Sequence, residues 1–237
     1  MRPTNTMSRS LLIVAAVLAL LCIAPSVWAG VALSDLITNN GSVISGDKLF
    51  DRFSYSYTGD MPSGDGVQIL PVQNNGQYGV RVFGGFDDLA GSGPSTATLR
   101  YRVTVLDPNL GITGGLLYGN PAVLKNGFFT IEASFASLPP SKNLMIYDKV
   151  PGGTQLWDDV QFDSVYPSVE VQVNLTGDTT SEPGAVTVSF FDTAFTQGVV
   201  PEPASLLIWM GSALLFGIVA IAQRRRVSSV SPAGRAA

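Results

Sequence analysis

Hydrophobic and polar residues alternate over many short stretches between residues 30 and 199. In one of the clearest, Leu99, Tyr101, Val103 and Val105 are separated by polar or charged residues. Alternation with a period of two predicts a β-strand that buries one face. The same pattern recurs in five further stretches, whose apolar members are Phe53, Tyr55 and Tyr57; Tyr78, Val80 and Val82; Phe129, Ile131, Ala133 and Phe135; Val169, Val171, Val173 and Leu175; and Val186, Val188 and Phe190.

Clusters of Gly, Pro, Asn and Asp separate these stretches, and such clusters are typical of turns. They occur at residues 39–41, 74–76, 91–94, 107–109, 126–127, 151–153 and 182–184. Many short, half-buried strands at roughly regular spacing predict an all-β domain over residues 30–199. We expect an antiparallel β-sandwich of about eight to ten strands, with a closed barrel as the alternative.

The N-terminal segment has the organisation of a secretory signal peptide. Arg2 and Arg9 precede an uncharged apolar run over residues 11–24, and Pro25 follows. Small residues then lead to a predicted cleavage between Ala29 and Gly30. The alternative is an uncleaved membrane anchor, but the run is short for the hydrocarbon core of a bilayer.

A second uncharged apolar run, residues 204–222, is long enough to cross a bilayer as a helix. Arg224, Arg225 and Arg226 follow it directly and predict a cytoplasmic C-terminus by the positive-inside rule. The domain before the helix would then lie outside the cell, in agreement with the N-terminal signal. A buried core helix is the alternative interpretation of the run.

Val200 and the motif Pro201-Glu202-Pro203 stand immediately before this run. Motif, apolar helix and arginine cluster, together residues 200–226, resemble the PEP-CTERM sorting signal of bacteria. The resemblance implies processing near Pro201–Pro203 by an exosortase, a membrane-embedded cysteine transpeptidase. It also implies transfer to the envelope of a bacterium that makes exopolysaccharide. Residues 227–237 are expected to form a disordered tail.

Three segments of the middle domain are also similar to segments of PEP-CTERM proteins of comparable size. They are residues 46–50, 99–105 and 191–197. This similarity supports the domain limits of 30 and 199, and it carries no activity with it.

The charge distribution argues against nucleic-acid binding. All 18 Asp and Glu residues lie between Gly30 and Pro203, with only eight Lys and Arg, which gives this segment a net charge of −10. Such a surface repels phosphate backbones. It suits an exported domain.

The side chains available for catalysis are few. The chain has no histidine, and its single cysteine, Cys22, lies in the signal peptide after the bulky Leu21, which disfavours lipidation. Histidine-dependent triads and His/Cys zinc sites are therefore excluded. We predict no catalytic residue, no metal site and no cofactor, while calcium binding through oxygen ligands stays open.

Pairs of carboxylates are the remaining candidates for chemistry. They are Asp87 with Asp88, Asp158 with Asp159 and Asp163, and Asp60 with Asp65. A glycoside hydrolase can work with two such groups. Neighbouring residues of a strand point to opposite faces, however, which makes this alternative weak.

The sequence thus predicts an exported, non-enzymatic cell-surface or extracellular-matrix protein, with association with exopolysaccharide as a further hypothesis. Its expected partners are an exosortase-like enzyme and the membrane. The alternative is a carbohydrate- or ice-binding surface module. Trp157 could stack on a sugar ring, whereas Thr96, Thr98 and Thr104 do not make the regular array that ice binding would require.

Overall fold

The computed structural model describes residues 30–74, 76–91, 93–136, 138, 142–179 and 184–200. The predicted signal peptide, the motif Pro201–Pro203, the predicted membrane helix 204–222, the arginine cluster and the predicted disordered tail 227–237 lie outside these residues. In the described part, no helix is long and apolar enough to cross a membrane. One compact unit ends at Gly198.

Strands dominate the described elements, as the alternation predicts. Ten of the strands have at least seven residues, and four have only two or three. In chain order the elements are β1 Val31–Ala32, α1 Leu33–Thr38, β2 Val43–Ser45, β3 Lys48–Thr58, a 3₁₀ turn Gly64–Gly66, β4 Gln68–Asn74, β5 Gln77–Leu89, β6 Ser95–Val105, β7 Leu110–Gly119, β8 Ala122–Leu124, β9 Gly127–Phe135, β10 Asn143–Val150, β11 Thr154–Gln155, β12 Trp157–Tyr166, β13 Ser168–Thr179 and β14 Ala185–Val199.

The strands form two antiparallel sheets. Sheet I has the order β1-β4-β5-β14-β7-β12, and β8 also pairs with β14. Sheet II has the order β11-β10-β9-β13-β6-β3-β2. Each sheet therefore has two edges, so the fold is a β-sandwich and the closed barrel is wrong.

The inner faces of the sheets form one hydrophobic core. The apolar residues predicted to alternate in β6, β9 and β13 are all buried. Tyr101 of sheet II is fully buried, and its hydroxyl lies 2.6 Å from the Thr193 hydroxyl of sheet I. Burial raises the pKa of Tyr101 well above its ordinary value. The two sheets thus share a hydrogen bond inside the core.

The helix α1 has no counterpart in the sequence prediction, because six residues are too few to show a helical period. Leu33 and Leu36 bury their side chains in the core. The N–H of Leu33 donates to the carbonyl of Val67 over 2.9 Å, which ties the helix to the segment before β4.

A bulge in the β5–β14 pair changes the direction in which β14 side chains point. Val188 pairs with Phe86, whereas Phe190 pairs with Phe83, so that two residues of β5 face one residue of β14. Val188 is buried in the core, but Phe190 lies on the outer face. The sequence prediction that Phe190 shares the face of Val186 and Val188 is therefore wrong.

Candidate functional site

The outer face of sheet I carries an exposed aromatic pair at its β12 edge. Trp157 of β12 and Tyr118 of β7 are directly paired across the two strands, which places their side chains on one face. Trp157 is 60% exposed and Tyr118 is 37% exposed. With Asn74 and Leu116 they line a cleft of about 360 Å³. Exposed apolar side chains grouped in a cleft typically mark a binding surface.

Two further aromatic residues continue this pair across the sheet. The ring of Phe190 in β14 lies 5.9 Å from that of Tyr118, and Phe83 of β5 is the strand partner of Phe190. Phe83 is 48% exposed. We call Phe83, Phe190, Tyr118 and Trp157 the aromatic row. It crosses four neighbouring strands in the order β5, β14, β7 and β12.

A partly buried ion pair lies beside the aromatic row. Arg81 donates from Nε to Oδ1 of Asp192 over 2.7 Å and from Nη2 to Oδ2 over 2.9 Å. Asn74 donates to the same Oδ2 over 3.1 Å. The guanidinium lies 4.1 Å above the centre of the Phe190 ring. The hydrogen bond to Asp192, opposed in part by burial, raises the pKa of Arg81, so its positive charge is permanent.

The predicted pair Asp158 and Asp159 is split between two environments. Asp159 is exposed and is the strand partner of Leu116, which places it on the face of the cleft. Asp158 instead accepts the backbone N–H of Met145 over 2.9 Å. Gln155 donates to the Met145 carbonyl over the same distance. Asp158 therefore satisfies a backbone N–H at the edge of β10, while Asp159 is available to a ligand.

The remaining candidate carboxylates have structural partners or separate positions. Asp88 is buried and accepts the Ser95 hydroxyl and the Thr179 N–H, each over 2.7 Å, while Asp87 lies on the opposite face of β5. Asp163 pairs with Lys142. Asp60 accepts the N–H of Leu89, and Asp65 lies in the 3₁₀ turn. Within the described ranges, no three Asp, Glu, His or Cys residues group as a metal site.

The outer face of sheet II carries a row of threonines that the sequence does not reveal. Thr58 pairs with Thr96, Thr96 with Thr176, and Thr176 with Thr130. These residues come from β3, β6, β13 and β9. Thr98 and Thr104 belong to other rows, in which Ser56, Asn174, Leu49 and Ser168 are the partners. The face therefore has a single row of four threonines.

Sequence reasoning found Trp157 and the Asp158–Asp159 pair, but it missed Tyr118, Phe190, Phe83 and Arg81. Tyr118 and Phe83 each stand between an apolar residue and a glycine, so nothing in the sequence distinguishes them from core residues. Their grouping depends on which strands are neighbours in the sheet. As assembled, the face offers flat aromatic surface together with the polar groups of Asn74, Arg81 and Asp159.

No protein-family model matches the chain, and no curated protein is significantly similar to it in sequence. Solved structures that align with it include TmCBM61 in complex with β-1,4-galactotriose, with 11% identity, 60% of this chain and 88% of that chain covered, and a TM-score of 0.28. A second is a carbohydrate-binding module of the β-sandwich superfamily with promiscuous specificity (14% identity, 63% and 56% covered, TM-score 0.28). A third is the family 32 module of C. perfringens NanJ in complex with galactose (10% identity, 60% and 93% covered, TM-score 0.25). At such values the alignments do not assign a ligand.

Proposed function

We propose that this chain is an exported cell-surface protein whose β-sandwich binds carbohydrate in the cleft lined by Trp157, Tyr118, Leu116 and Asn74. The observation that carries the proposal is the exposure of Trp157, at 60%, beside the half-exposed Tyr118. An indole and a phenol held side by side on a rigid sheet expose apolar surface to water without any contribution to the core.

The chemistry of the cleft suits a sugar. A pyranose ring presents a face of C–H groups that packs against an aromatic ring, and hydroxyl groups at its rim that need hydrogen-bond partners. Asn74 supplies an amide at the cleft, and Asp159 supplies a carboxylate acceptor on the same face. The cleft combines stacking surface with donors and acceptors, which is the usual composition of a small-ligand site.

Export and sorting form the second part of the proposal. They rest on the signal peptide over residues 1–29, the motif Pro201–Pro203 and the apolar run with its arginine cluster. An exosortase-like enzyme would process the chain near the motif and leave the sandwich at the envelope or in the extracellular matrix. A protein placed there meets exopolysaccharide, which agrees with a sugar-binding cleft.

Affinity electrophoresis tests the carbohydrate proposal. The full-length protein, purified in a detergent without a sugar headgroup, is run through gels that contain mixed-linkage β-glucan, galactan, xylan, mannan or dextran. Retardation by at least one polysaccharide, lost in Trp157→Ala, is the expected result. Tyr57→Ala is the matched control, because Tyr57 is a similarly exposed aromatic residue of sheet II. Retardation that persists in Trp157→Ala, or no retardation by any of the five, would contradict the proposal.

Ice is the second candidate ligand, and the threonine row of sheet II is the observation in its favour. Regularly spaced hydroxyl and methyl groups could match an ice surface. Antiparallel sheets twist by about 20° per strand, however, and a single row of four residues gives no second dimension. Thermal hysteresis that disappears in Thr176→Tyr would establish this function; normal crystal growth in the presence of the wild-type protein would exclude it.

A further inference from the structure

We infer that the whole aromatic row, with Arg81 above it, binds an internal stretch of a linear, uncharged polysaccharide that lies across the strands of sheet I. This inference rests on the proposed function and specifies its ligand. A single exposed tryptophan would suffice for a terminal sugar. The row extends the same kind of surface across three more strands.

The length of the row sets the size of the ligand. Neighbouring strands lie about 4.8 Å apart, so four strands place Phe83 and Trp157 roughly 14 Å from each other. That distance is longer than one sugar ring and accommodates several linked rings. The direct pairings of Phe83 with Phe190 and of Trp157 with Tyr118 keep all four side chains on one face. A chain that crosses the strands at right angles would therefore pass along the whole row.

The middle of the row offers hydrogen-bond donors. The guanidinium of Arg81 covers Phe190 at 4.1 Å from the ring centre, and its side chain is 36% exposed. Asp192, which is fully buried, fixes its orientation through two hydrogen bonds. An arginine held in this way can donate to sugar hydroxyls without losing further side-chain entropy. A chain on the row would meet Phe83, then Arg81, then Tyr118 and Trp157.

Both ends of the row are open along this direction. Beyond Trp157 no further strand of sheet I follows among the described residues, because β12 is the edge of the sheet. Beyond Phe83 the next side chain in the row is Gln68 of β4, which is the strand partner of Phe83 and is exposed and polar. A polysaccharide can continue past either end, so the face does not require a chain terminus.

The charges of the face favour an uncharged chain. The carboxylate of Asp192 is neutralised by Arg81. Asp159, beside Leu116, is exposed and has no ion-pair partner in the part of the chain that the structure describes. A polymer of uronic acids would bring negative charge against Asp159 and against a domain that is itself strongly acidic. The row therefore disfavours anionic polysaccharides.

The test measures affinity against ligand length by isothermal titration calorimetry. The polysaccharide that retards the full-length protein is hydrolysed to a ladder of one to six sugars, and polygalacturonate serves as the anionic probe. We expect the affinity to rise with each added sugar up to at least four. Phe83→Ala should lower the affinity for the hexasaccharide about tenfold, a change of about 1.4 kcal/mol, and leave the affinity for the disaccharide unchanged. Trp157→Ala should lower the affinity for both oligosaccharides. Leu124→Ala, another exposed apolar side chain of sheet I, is the control.

The possible failures are distinguishable. The affinity could stop rising after one or two sugars and be unchanged in Phe83→Ala. This result would contradict binding along the whole row but leave the cleft at Trp157 as a sugar site. Stronger binding of polygalacturonate than of the neutral chain overturns the charge argument and with it this inference. A wild-type dimer in sedimentation velocity that Trp157→Ala converts to monomer would assign the row to self-association instead.

Discussion

Arg81 and Asp192 form a two-bonded ion pair on the outer face of sheet I, and the carboxylate of Asp192 is completely buried there. Outer-face residues of a sheet normally meet solvent, whereas Asp192 is covered by Arg81 and receives a third hydrogen bond from Asn74. Both Arg81 and Asn74 lie at the proposed sugar-binding face. The pair therefore links the stability of the sheet to the position of the groups that would touch a ligand.

Asp192→Asn should destabilise the fold by about 3 kcal/mol, because removal of one partner leaves the other charge poorly compensated. We place the cost at the low end of the range for buried pairs, since Arg81 still reaches solvent. Urea denaturation of the variant and the wild type measures the difference. Asp163→Asn is the control: its partner Lys142 is solvent-accessible, and loss of this surface pair should cost less than about 1 kcal/mol. Equal effects of the two substitutions would contradict the structural role given to Asp192.

Asp158 and Gln155 should protect the edge of β10 from pairing with another chain. Together they satisfy the N–H and the carbonyl of Met145, which would otherwise be open to a new strand. We expect the double variant Gln155→Ala, Asp158→Ala to aggregate faster than the wild type on mild heating, as measured by light scattering. Asp159→Ala, which alters the neighbouring carboxylate on the opposite face, should aggregate at the wild-type rate. A double variant as soluble as the wild type would show that these contacts do not guard the edge.

Asp158 and Asp87 test the alternative that the protein is a glycoside hydrolase. Should any glycosidase activity be detected in the protein, Asp158→Asn and Asp87→Asn are expected to leave its rate unchanged. Asp158 serves the backbone of Met145, and Asp87 and its neighbour Asp88 lie on opposite faces of one strand. A loss of activity of a hundredfold or more in either variant, with unchanged stability, would establish a catalytic carboxylate and reverse this expectation.

How far the sequence predicts this fold depends on whether each strand keeps a regular alternation. β6, β9 and β13 do so throughout, and their buried residues can be read directly from the sequence. β14 does not, because the bulge next to Gly84 and Gly85 moves Phe190 from the expected inner face to the outer one. A period of two cannot reveal such a shift, because it assumes that the alternation continues unbroken through β14, whereas both Val188 and Phe191 are buried.

The candidate site depends even more on tertiary structure. Trp157 stands out in the sequence because it neighbours two acidic residues, but Phe83, Tyr118 and Phe190 are separated from it and from one another by many residues. They form a row only because β5, β14, β7 and β12 are neighbours in sheet I. The threonine row of sheet II arises in the same way from four distant strands. Patterns in a single sequence predict strands and the faces that they bury. Which residues lie together in a site depends on the order of the strands in the sheet.

Tyr101 should make the protein sensitive to alkaline pH. Burial raises the pKa of Tyr101, and burial together with the neighbouring Tyr57 raises the pKa of Tyr55. A tyrosine whose pKa is higher in the folded state adds no pH dependence below its unfolded pKa of about 10. Above that pH the unfolded chain ionises first, so the free energy of unfolding falls by up to about 1.4 kcal/mol per pH unit for each such group.

Urea denaturation at a series of pH values from about 8 to about 11 checks this expectation. The range covers both sides of the ordinary tyrosine pKa of about 10. Tyr101→Phe should cost about 1 kcal/mol at pH 8, because Thr193 loses its hydrogen-bond partner, and should show a shallower decline above pH 10. Tyr118→Phe is the control, since Tyr118 is exposed and lies on the other sheet from Tyr55. An alkaline decline equally steep in Tyr101→Phe and the wild type would show that Tyr101 does not ionise on unfolding.

From the bounds of the sandwich we expect the mature protein to consist of the sandwich alone. β1 begins at Val31, directly after the predicted cleavage between Ala29 and Gly30, and β14 ends at Val199, just before Pro201–Pro203. Cleavage at both sites would remove no described strand and no member of the core. A chain of residues 30–200 should therefore fold, with a thermal midpoint within a few degrees of that of the full-length protein. The intact mass and the terminal peptides of the native protein should show a chain that begins at Gly30 and ends near Pro201–Pro203. A mass that retains the apolar run and the arginines would rule out the processing and leave a membrane-anchored form.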